Sequence, residues 1–453
     1  MENAENVRMM TENPRHSILS MSVPLTVALL ISYIQHFVDS VWCAGLGTAA
    51  MSAITVSGPL YWIIIDLGIG LGVGVSTSVA RALGAKNDER AGSLAAQAMV
   101  LALIIASAAT VLLLLTCGPV LDFVNNGGDT ALCEAYVYPY FVCVIPIVLH
   151  GVLIGLLRAE GASRIVLRLS IVSSLLNLII DPIFIYTLGW GLSGAAIATC
   201  ISFIVPLLIG MGRYLNGRMY VKLTFRGFRI RLDEMKDVMY VGVPHMLELM
   251  AISFLMIPQN MIVMRTGGEE GIVLTMTPYK FIILAIMPAQ GLSEAMIPVT
   301  SALQGAGMNQ EAKNGFLFTV KVSTLICIAL SLFLIVAADP LTWAFTYTGD
   351  MADLHDKLAE ILRLYGFITL FAGLSHVCSG ILQSLRKAML ATVTVFVRES
   401  VFIVMYIVAS AYGMEAIYDC MVLGMFFGFA LMGVFAAYCV RHMPLTVPKA
   451  EPA

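Results

Sequence analysis

The chain has 453 residues, of which 59% are hydrophobic and only 12% are charged, and its mean hydropathy is +0.88. Ordinary soluble domains carry about 25% charged residues, so this composition excludes a soluble globular protein. Because apolar runs of about 20 residues recur along the whole length, the sequence predicts an integral membrane protein that spans the bilayer many times.

Taken in chain order, the apolar runs predict an all-α protein with twelve transmembrane helices. The predicted spans are residues 18–44, 51–81, 92–117, 136–157, 165–188, 191–212, 238–264, 272–303, 315–337, 358–383, 389–411 and 415–440. They predict five parts, namely an N-terminal segment (1–17), a first lobe of six helices (18–213), a linker (214–237), a second lobe of six helices (238–440) and a C-terminal tail (441–453).

Positive charge is distributed unevenly between the two ends of the predicted helices. Of the 26 Lys and Arg residues, 21 fall on the same face. The positive-inside rule therefore predicts that both termini are cytoplasmic and that the protein is a multi-pass protein of the cell (inner) membrane. The stretch from Arg213 to Asp237 holds seven of these basic residues, which favours either a simple cytoplasmic connection or a surface strip touching anionic lipid.

The second half of the sequence resembles the first at an offset of about 220 residues. Val23-Pro24 matches Val243-Pro244, and "LGAKNDERAG" (83–92) matches "QGAGMNQEAKNG" (304–315). Because each unit has six spans, both copies have the same orientation in the membrane. The repeat is therefore predicted to be parallel, with a pseudo-two-fold axis along the membrane normal and a central cleft suited to alternating access.

Six carboxylates fall in the interior of predicted spans, away from the span ends, and a carboxylate at the bilayer centre costs roughly 2.5–3.5 kcal/mol. Such residues are candidates for function because structural needs alone rarely explain them. They are Asp39, Asp66, Asp181, Glu248, Glu294 and Glu399.

The stretch "LNLIIDPIFI" (176–185) is the most informative of these sites. Asn177 lies four residues before Asp181, on the same helical face, and Pro182 deprives the preceding turn of a backbone donor. Together with Asp39 and Thr199 from two other spans, these side chains supply the oxygen ligands that Na⁺ requires, if the three helices meet. A pair of carboxyls can also hold a proton instead. The alternative is that Asp181 ends a helix near the headgroups.

Two further patterns predict packing rather than chemistry. Asp66 precedes a ladder of alternate glycines at positions 68–74, which allows helices to approach closely. Arg398 and Glu399 are adjacent and project about 100° apart on a helix, so no direct pairing between them is expected, and both are assigned to a structural polar network.

Four segments of the chain resemble the multidrug and toxic compound extrusion (MATE) transporters. They are residues 22–54, 66–92, 175–199 and 291–307, and the third, "LLNLIIDPIFIYTLGWGLSGAAIAT", is the most specific. The resemblance implies a twelve-helix secondary antiporter. Such proteins have two lobes around a central cleft and export apolar organic cations in exchange for Na⁺ or H⁺.

The resemblance also implies roles for single residues, and each can be carried over by position. A cation-coupling site, which is a metal site only if Na⁺ binds, is implied at Asp39, Asn177, Asp181 and Thr199. Structural kinks are implied at Pro24 and Pro182, and a polar position in the substrate cavity at Gln35.

One branch of the family also carries acidic residues in helices 7 and 10. Here the stretch "ILRLYGFITLFAGLSHVCSGILQSL" (361–385) of span 10 has none, and Glu248 lies only four residues after Pro244, so the chain is more similar to the prokaryotic DinF-like branch. Glu248 is accordingly assigned to the substrate cavity.

The predicted function is multidrug efflux, with no catalytic residues and no cofactor other than the coupling ion. The expected partners are small organic cations and membrane lipids, with no nucleic acid, and the expected state is a monomer. The alternative is a lipid-linked saccharide flippase of the wider superfamily, which typically has fourteen helices and a cationic cavity. An enzyme is not favoured, because no nucleophile and base cluster together in the sequence.

Overall fold

The structure is a computed structural model that describes residues 2–124, 130–223, 228–346 and 353–444. Part of the predicted linker (224–227) and most of the predicted C-terminal tail (445–453) therefore lie outside the described residues. Within the described ranges, all regular secondary structure is helical, as the composition predicts.

The helices follow one another with short connections. They are α1 (Glu2–Glu12), α2 (Pro14–Ala44), α3 (Thr48–Gly84), α4 (Asp88–Val124), α5 (Ala131–Val142), α6 (Val144–Ala159), α7 (Ser163–Pro182) with a π-helical turn (Ile183–Thr187), α8 (Gly191–Leu215), α9 (Leu232–Gly305), α10 (Asn309–Val336), α11 (Ala338–Thr346), α12 (His355–Ser384), α13 (Ala388–Ser410) and α14 (Met414–Arg441).

Ten of these helices are individually long and apolar enough to cross a membrane, and α5 and α6 form one further span bent by 55°. Helix α9 has 74 residues, which at about 1.5 Å per residue is far longer than a bilayer is thick. It is interrupted at Gly268, whose φ of 63° and ψ of −155° are not helical. Counting α9 as two spans gives twelve, and the prediction of twelve transmembrane helices is confirmed.

Two predicted boundaries differ from the structure. The N-terminal segment contains helix α1 and the beginning of α2 at Pro14, so most of it is helical. Helix α9 begins at Leu232, inside the predicted linker. In both places the helix continues beyond the apolar run because charged residues at the membrane surface tolerate helical structure, so hydropathy marks only the buried part of each helix.

Helix α3 lies at the centre of the molecule because its glycines allow close contact on two sides. A Cβ at Gly68 or Gly72 would meet the backbone of α6 at Gly151. A Cβ at Gly70 would lie 2.5 Å from Cβ of Met246 on α9. The packing role predicted for the glycine ladder is thus confirmed, and α3 joins α6 of the first half to α9 of the second.

The two halves also meet at the end of the bundle that carries most of the basic residues, hereafter the basic face. Asp237 on α9 accepts hydrogen bonds from Arg90 at 2.7 Å and from Arg386 at 2.8 Å. Ser78 on α3 donates to the Asp237 carbonyl at 3.1 Å. One aspartate therefore connects α3, α4, α9 and the α12–α13 turn.

Backbone contacts close the same end further. A Cβ at Gly84 would lie 2.7 Å from Cα of Ala302, and a Cβ at Gly305 would overlap the backbone of Arg81. Arg81 also donates to the Gln304 side chain at 2.9 Å. Because α3 and α9 touch here through backbone atoms, the halves are closed against each other at the basic face.

Candidate functional site

The polar residues that the sequence singles out come from three helices that pack together in the first half. Helix α2 carries Asp39 and packs along α7, which carries Asn177 and Asp181; α7 in turn packs along α8, which carries Thr199. The structure therefore brings all four predicted cation-coupling residues to one place.

The α7 and α8 side chains form a hydrogen-bonded group inside the protein. The Asn177 amide Nδ2 donates to Asp181 Oδ1 at 3.0 Å and lies 3.4 Å from Thr199 Oγ1. These residues are 1%, 0% and 2% exposed, respectively. The side chain of Asp181 is therefore enclosed by protein. The alternative that Asp181 ends a helix near the headgroups concerns its depth in the membrane and stays a prediction.

The carboxyl group of Asp39 lies against that of Asp181 and beside the Asn177 amide. Asp39 Oδ1 and Asp181 Oδ2 are both buried and have no hydrogen-bond partner among the described residues. Two ionised carboxylates offer only acceptors to each other and repel, whereas a shared proton or a small cation satisfies both. The donor set of two carboxyls, one amide and one hydroxyl fits a hard monovalent cation such as Na⁺.

The local structure around Asp181 follows from the proline after it. The α-helical part of α7 ends at Pro182, and the backbone continues as the π-helical turn, in which Leu188 N donates to Ile183 O at 2.8 Å. Such π turns often occur at functional sites because they re-aim side chains. Pro24, the other predicted kink, stands within α2, which is helical on both sides of it, so a kink there stays a prediction.

Gln35 lies one turn before Asp39 and also faces α7. Its Oε1 accepts a hydrogen bond from Ser174 Oγ at 2.7 Å. Gln35 thereby fixes the rotation of α2 relative to α7, and this rotation presents Asp39 to Asp181.

An aromatic wall, which sequence reasoning missed, lies beside the carboxyl pair. The ring centroid of Tyr140 is 4.7 Å from that of Tyr61 and 5.2 Å from that of Tyr136. Tyr61 and Tyr140 are 5% and 1% exposed, and both phenols lie near the Asp39 carboxyl. The i, i+4 spacing of Tyr136 and Tyr140 around Pro139 was the available signal, since it places two phenols on one helix face.

Glu248 belongs to a different cluster, in the second half. Its carboxylate accepts a hydrogen bond from Ser379 at 2.7 Å and pairs with His245 at 3.1 Å, and Gln383 lies 2.8 Å from the same imidazole. The residue is 6% exposed and its side chain is held between α9 and α12. Its assignment to a substrate cavity stays a prediction.

The expectation that Arg398 and Glu399 do not pair is wrong. Arg398 Nε donates to Glu399 Oε1 at 2.9 Å, and Arg398 Nη2 bonds to the same oxygen. The long arginine side chain curls around the helix and overcomes the angle between adjacent Cβ atoms. Gln259 completes the group by donating to Glu399 Oε2 at 2.8 Å, which agrees with a structural polar network.

Comparisons with known proteins agree with this architecture. The family model described as MatE matches residues 24–183 and 244–409, two segments that begin about 220 residues apart, as the internal repeat does. A solved structure described as a crystal structure of MATE in complex with MaL6 is similar to this chain, with a TM-score of 0.90 and 26% identity over 96% of this chain and 98% of that one.

Two curated relatives are similar in sequence. Multidrug and toxin extrusion protein 1 of Mus musculus is 24% identical over 381 residues, a match that covers 81% of this chain and 64% of that protein. This chain thus spans less than two thirds of the length of that relative. The FAD transporter of Shewanella oneidensis is 28% identical over 345 residues, which is 73% of this chain and 74% of that protein.

Proposed function

Because this chain belongs to the MatE family, whose members are membrane transporters and not enzymes, we propose that it is a secondary active multidrug efflux antiporter. It exports apolar organic cations in exchange for Na⁺ or H⁺ by alternating access. It acts as a monomer in the cytoplasmic membrane, with both termini on the cytoplasmic side, which the basic face supports.

The observation that carries this proposal is the carboxyl pair of Asp39 and Asp181. Two like charges about 4 Å apart repel by roughly 4 kcal/mol at an effective dielectric constant near 20. A proton or Na⁺ held between the carboxyls removes that repulsion and draws α2 towards α7; losing the cation reverses this. An energy of that size is enough to shift a two-state equilibrium by about a thousandfold, since each 1.4 kcal/mol is a factor of ten.

The pair therefore connects ion occupancy to the position of α2. Helix α2 packs not only on α7 but also on α9 of the second half, where a Cβ at Gly291 would lie 2.9 Å from the Thr26 backbone nitrogen. A movement of α2 changes the contact between the halves, which is what alternating access needs. The closed basic face supports the view that this conformation opens its cleft towards the other side of the membrane.

The energy available from the gradient is adequate for export. When two coupling cations enter for each monovalent organic cation exported, one net elementary charge moves through about 100 mV and releases roughly 2.3 kcal/mol, which corresponds to a concentration ratio of about fifty before any ion gradient is added. A one-for-one exchange moves no net charge and is driven by the ion gradient alone.

The test is export of a fluorescent organic cation from proteoliposomes, first under an imposed Na⁺ gradient and then under a pH gradient. Asp39→Asn and Asp181→Asn should each abolish gradient-driven export while leaving insertion and folding intact. Asp419→Asn, which removes an exposed carboxylate of α14, is the matched control and should export normally. Normal export by both site variants would refute the proposal.

A second substrate class comes from the relative named as an FAD transporter. Arg398, whose largely buried guanidinium pairs with Glu399, is a cationic group within the second half. Its charge is balanced by Glu399, so an organic cation remains the favoured substrate. Loading the same proteoliposomes with FAD discriminates the two, because gradient-driven loss of flavin fluorescence would favour the anionic substrate. The flippase alternative is not favoured by the comparisons.

A further inference from the structure

A cavity of about 440 Å³ opens on the basic face of the first half, apart from the carboxyl pair. Its walls come from α1, the beginning of α2, the loop before α7, and the end of α8. Its volume lies within the range of about 300–1,000 Å³ that is usual for small-molecule sites.

Four arginines line this cavity, together with a single described carboxylate, Glu5. They are Arg164, Arg168, Arg213 and Arg218. Chain geometry places them together in two pairs. Arg164 and Arg168 are one turn apart on the same face of α7. Arg218 folds back on Arg213, because its backbone nitrogen donates to the Arg213 carbonyl at 3.0 Å after Gly217, whose φ is 65°.

Two of these guanidinium groups lack a protein partner. Within the described residues, Arg168 and Arg213 make no side-chain hydrogen bond or ion pair, and Arg213 Nε is buried without a partner. The cost of leaving a donor unsatisfied, about 1–3 kcal/mol or more for a charged group, applies to the buried Arg213 Nε. Arg168 is exposed and lines the cavity with free donors. The cavity therefore presents free guanidinium N–H donors, which an anion with several oxygen atoms can satisfy.

Backbone groups at the cavity also favour binding of an anion. Helix α7 begins at Ser163, where no side chain caps the free amide groups, and its 20 residues direct a positive dipole end at the cavity. Gly161, with a φ of 72°, brings the preceding loop against α1, where a Cβ would lie 3.3 Å from that of Asn6. Helix α1 thus closes one side of the cavity and makes it a pocket rather than an open basic surface.

We propose that this cavity binds a phosphate group, of the kind carried by anionic phospholipid headgroups and by inorganic phosphate. Arginine is suited to this ligand because its planar guanidinium donates two parallel hydrogen bonds to phosphate oxygens. The cavity lies on the face where clusters of four or more basic residues commonly bind anionic lipids. The positive-inside rule alone explains basic residues on this face, but it does not require two arginines without a protein partner, Arg168 and Arg213, to line the same cavity.

The experiment uses the detergent-solubilised full-length chain and follows its Tm with three added probes. These are dioctanoyl phosphatidylglycerol, dioctanoyl phosphatidylcholine and inorganic phosphate. A ligand that binds only the folded protein raises Tm with concentration, which gives an apparent affinity. Arg168→Gln/Arg213→Gln is compared with Arg229→Gln/Arg441→Gln, which removes two exposed arginines outside the cavity.

We expect phosphatidylglycerol to raise Tm more than phosphatidylcholine, with an apparent affinity about 25-fold weaker in the cavity variant, at about fivefold per arginine. The control variant should stay within about twofold of the unaltered chain. If inorganic phosphate gives the same pattern, the ligand is any phosphate; if only phosphatidylglycerol does, the ligand is a lipid headgroup.

Two results would overturn the proposal. One is equal weakening in the cavity and control variants, which would indicate a diffuse surface charge effect. The other is stabilisation of the unaltered chain by neither phosphatidylglycerol nor phosphate. Should the double variant fail to fold, Arg168→Gln alone, at an exposed position, is used, with an expected weakening of about fivefold.

Discussion

The closure of the basic face leads to a prediction about Gly84. Replacing Gly84 with alanine puts a Cβ 2.7 Å from Cα of Ala302 on α9. The same Cβ would overlap the carbonyl oxygen of Ala302. Because carbon atoms in contact prefer about 3.5–4.0 Å, α3 and α9 must separate by more than about 1 Å at this end. Such overpacking typically costs 1–3 kcal/mol.

The protein can relieve this cost by separating its two halves at the basic face. The cost then falls on the closed conformation alone, and the population of the open conformation rises by about 5- to 150-fold. Gly58→Ala is the matched control, because Gly58 lies in the same helix and a Cβ there meets nothing within 4 Å. Because a Cβ at position 58 has free space, alanine there should stabilise the helix by roughly 0.5–1 kcal/mol relative to glycine.

Amide hydrogen exchange measured by mass spectrometry checks this prediction. Exchange through an opening scales with the population of the open state, so residues 78–84 and 300–305 should exchange faster by the same factor in Gly84→Ala. The rest of the bundle should keep its protection. Indistinguishable exchange in the Gly84→Ala and Gly58→Ala proteins would show that the contact between α3 and α9 does not hold the basic face closed.

Three further outcomes are expected. Burial raises the pKa of Glu160, in the loop after α6, from 4.5 to about 7, so its stabilising contribution is present below about pH 4.5 and is lost as the pH rises through about 7. The fall in Tm over that range, from a loss of about 3 kcal/mol, should shrink in Glu160→Gln; an unchanged pH profile would rule this group out. Arg158 and Glu294 form an ion pair between the halves at 2.9 Å, and their side chains are 16% and 15% exposed. Arg158→Met should lower Tm by several degrees because it leaves the Glu294 carboxylate without its partner, whereas Arg158→Met/Glu294→Leu should recover most of that loss. An equal loss of Tm in the single and double variants would contradict this prediction. Thr199→Val removes a hydroxyl beside Asn177 and should weaken the coupling ion about tenfold, seen as a higher ion concentration for half-maximal export; an unchanged concentration would exclude Thr199 as a ligand.

The sequence was sufficient for the number of spans and for the members of the carboxyl pair. Asn177 and Asp181 could be paired because their spacing is one helical turn, a local property that survives folding. Asp39 could be added only on the condition that its helix meets α7. The hydrophobic periodicity of a sequence does not show how one helix is rotated about its axis relative to another. Here that rotation depends on contacts such as the hydrogen bond between Gln35 and Ser174.

What could not be predicted depends on partners distant in the chain or on side-chain flexibility. The glycines of α3 indicated close packing but not that α6 and α9 are the partners, because any backbone fits a groove without side chains. Arg398 and Glu399 paired although the angle between their Cβ vectors is unfavourable, because the rule of helical spacing ignores the length of an arginine. Tyr61 was indistinguishable from a packing residue, since its apolar neighbours carry no sign of an adjacent carboxyl.

The one-residue interruption of α9 has a mechanical consequence. Gly268 directly joins two long helical arms of α9. The arms can therefore pivot about this residue but cannot slide past each other along the membrane normal. Both arms touch α3, one near Val238 and the other at Ala302. A displacement of α3 at one of these contacts is therefore passed to the other arm as a rotation about Gly268.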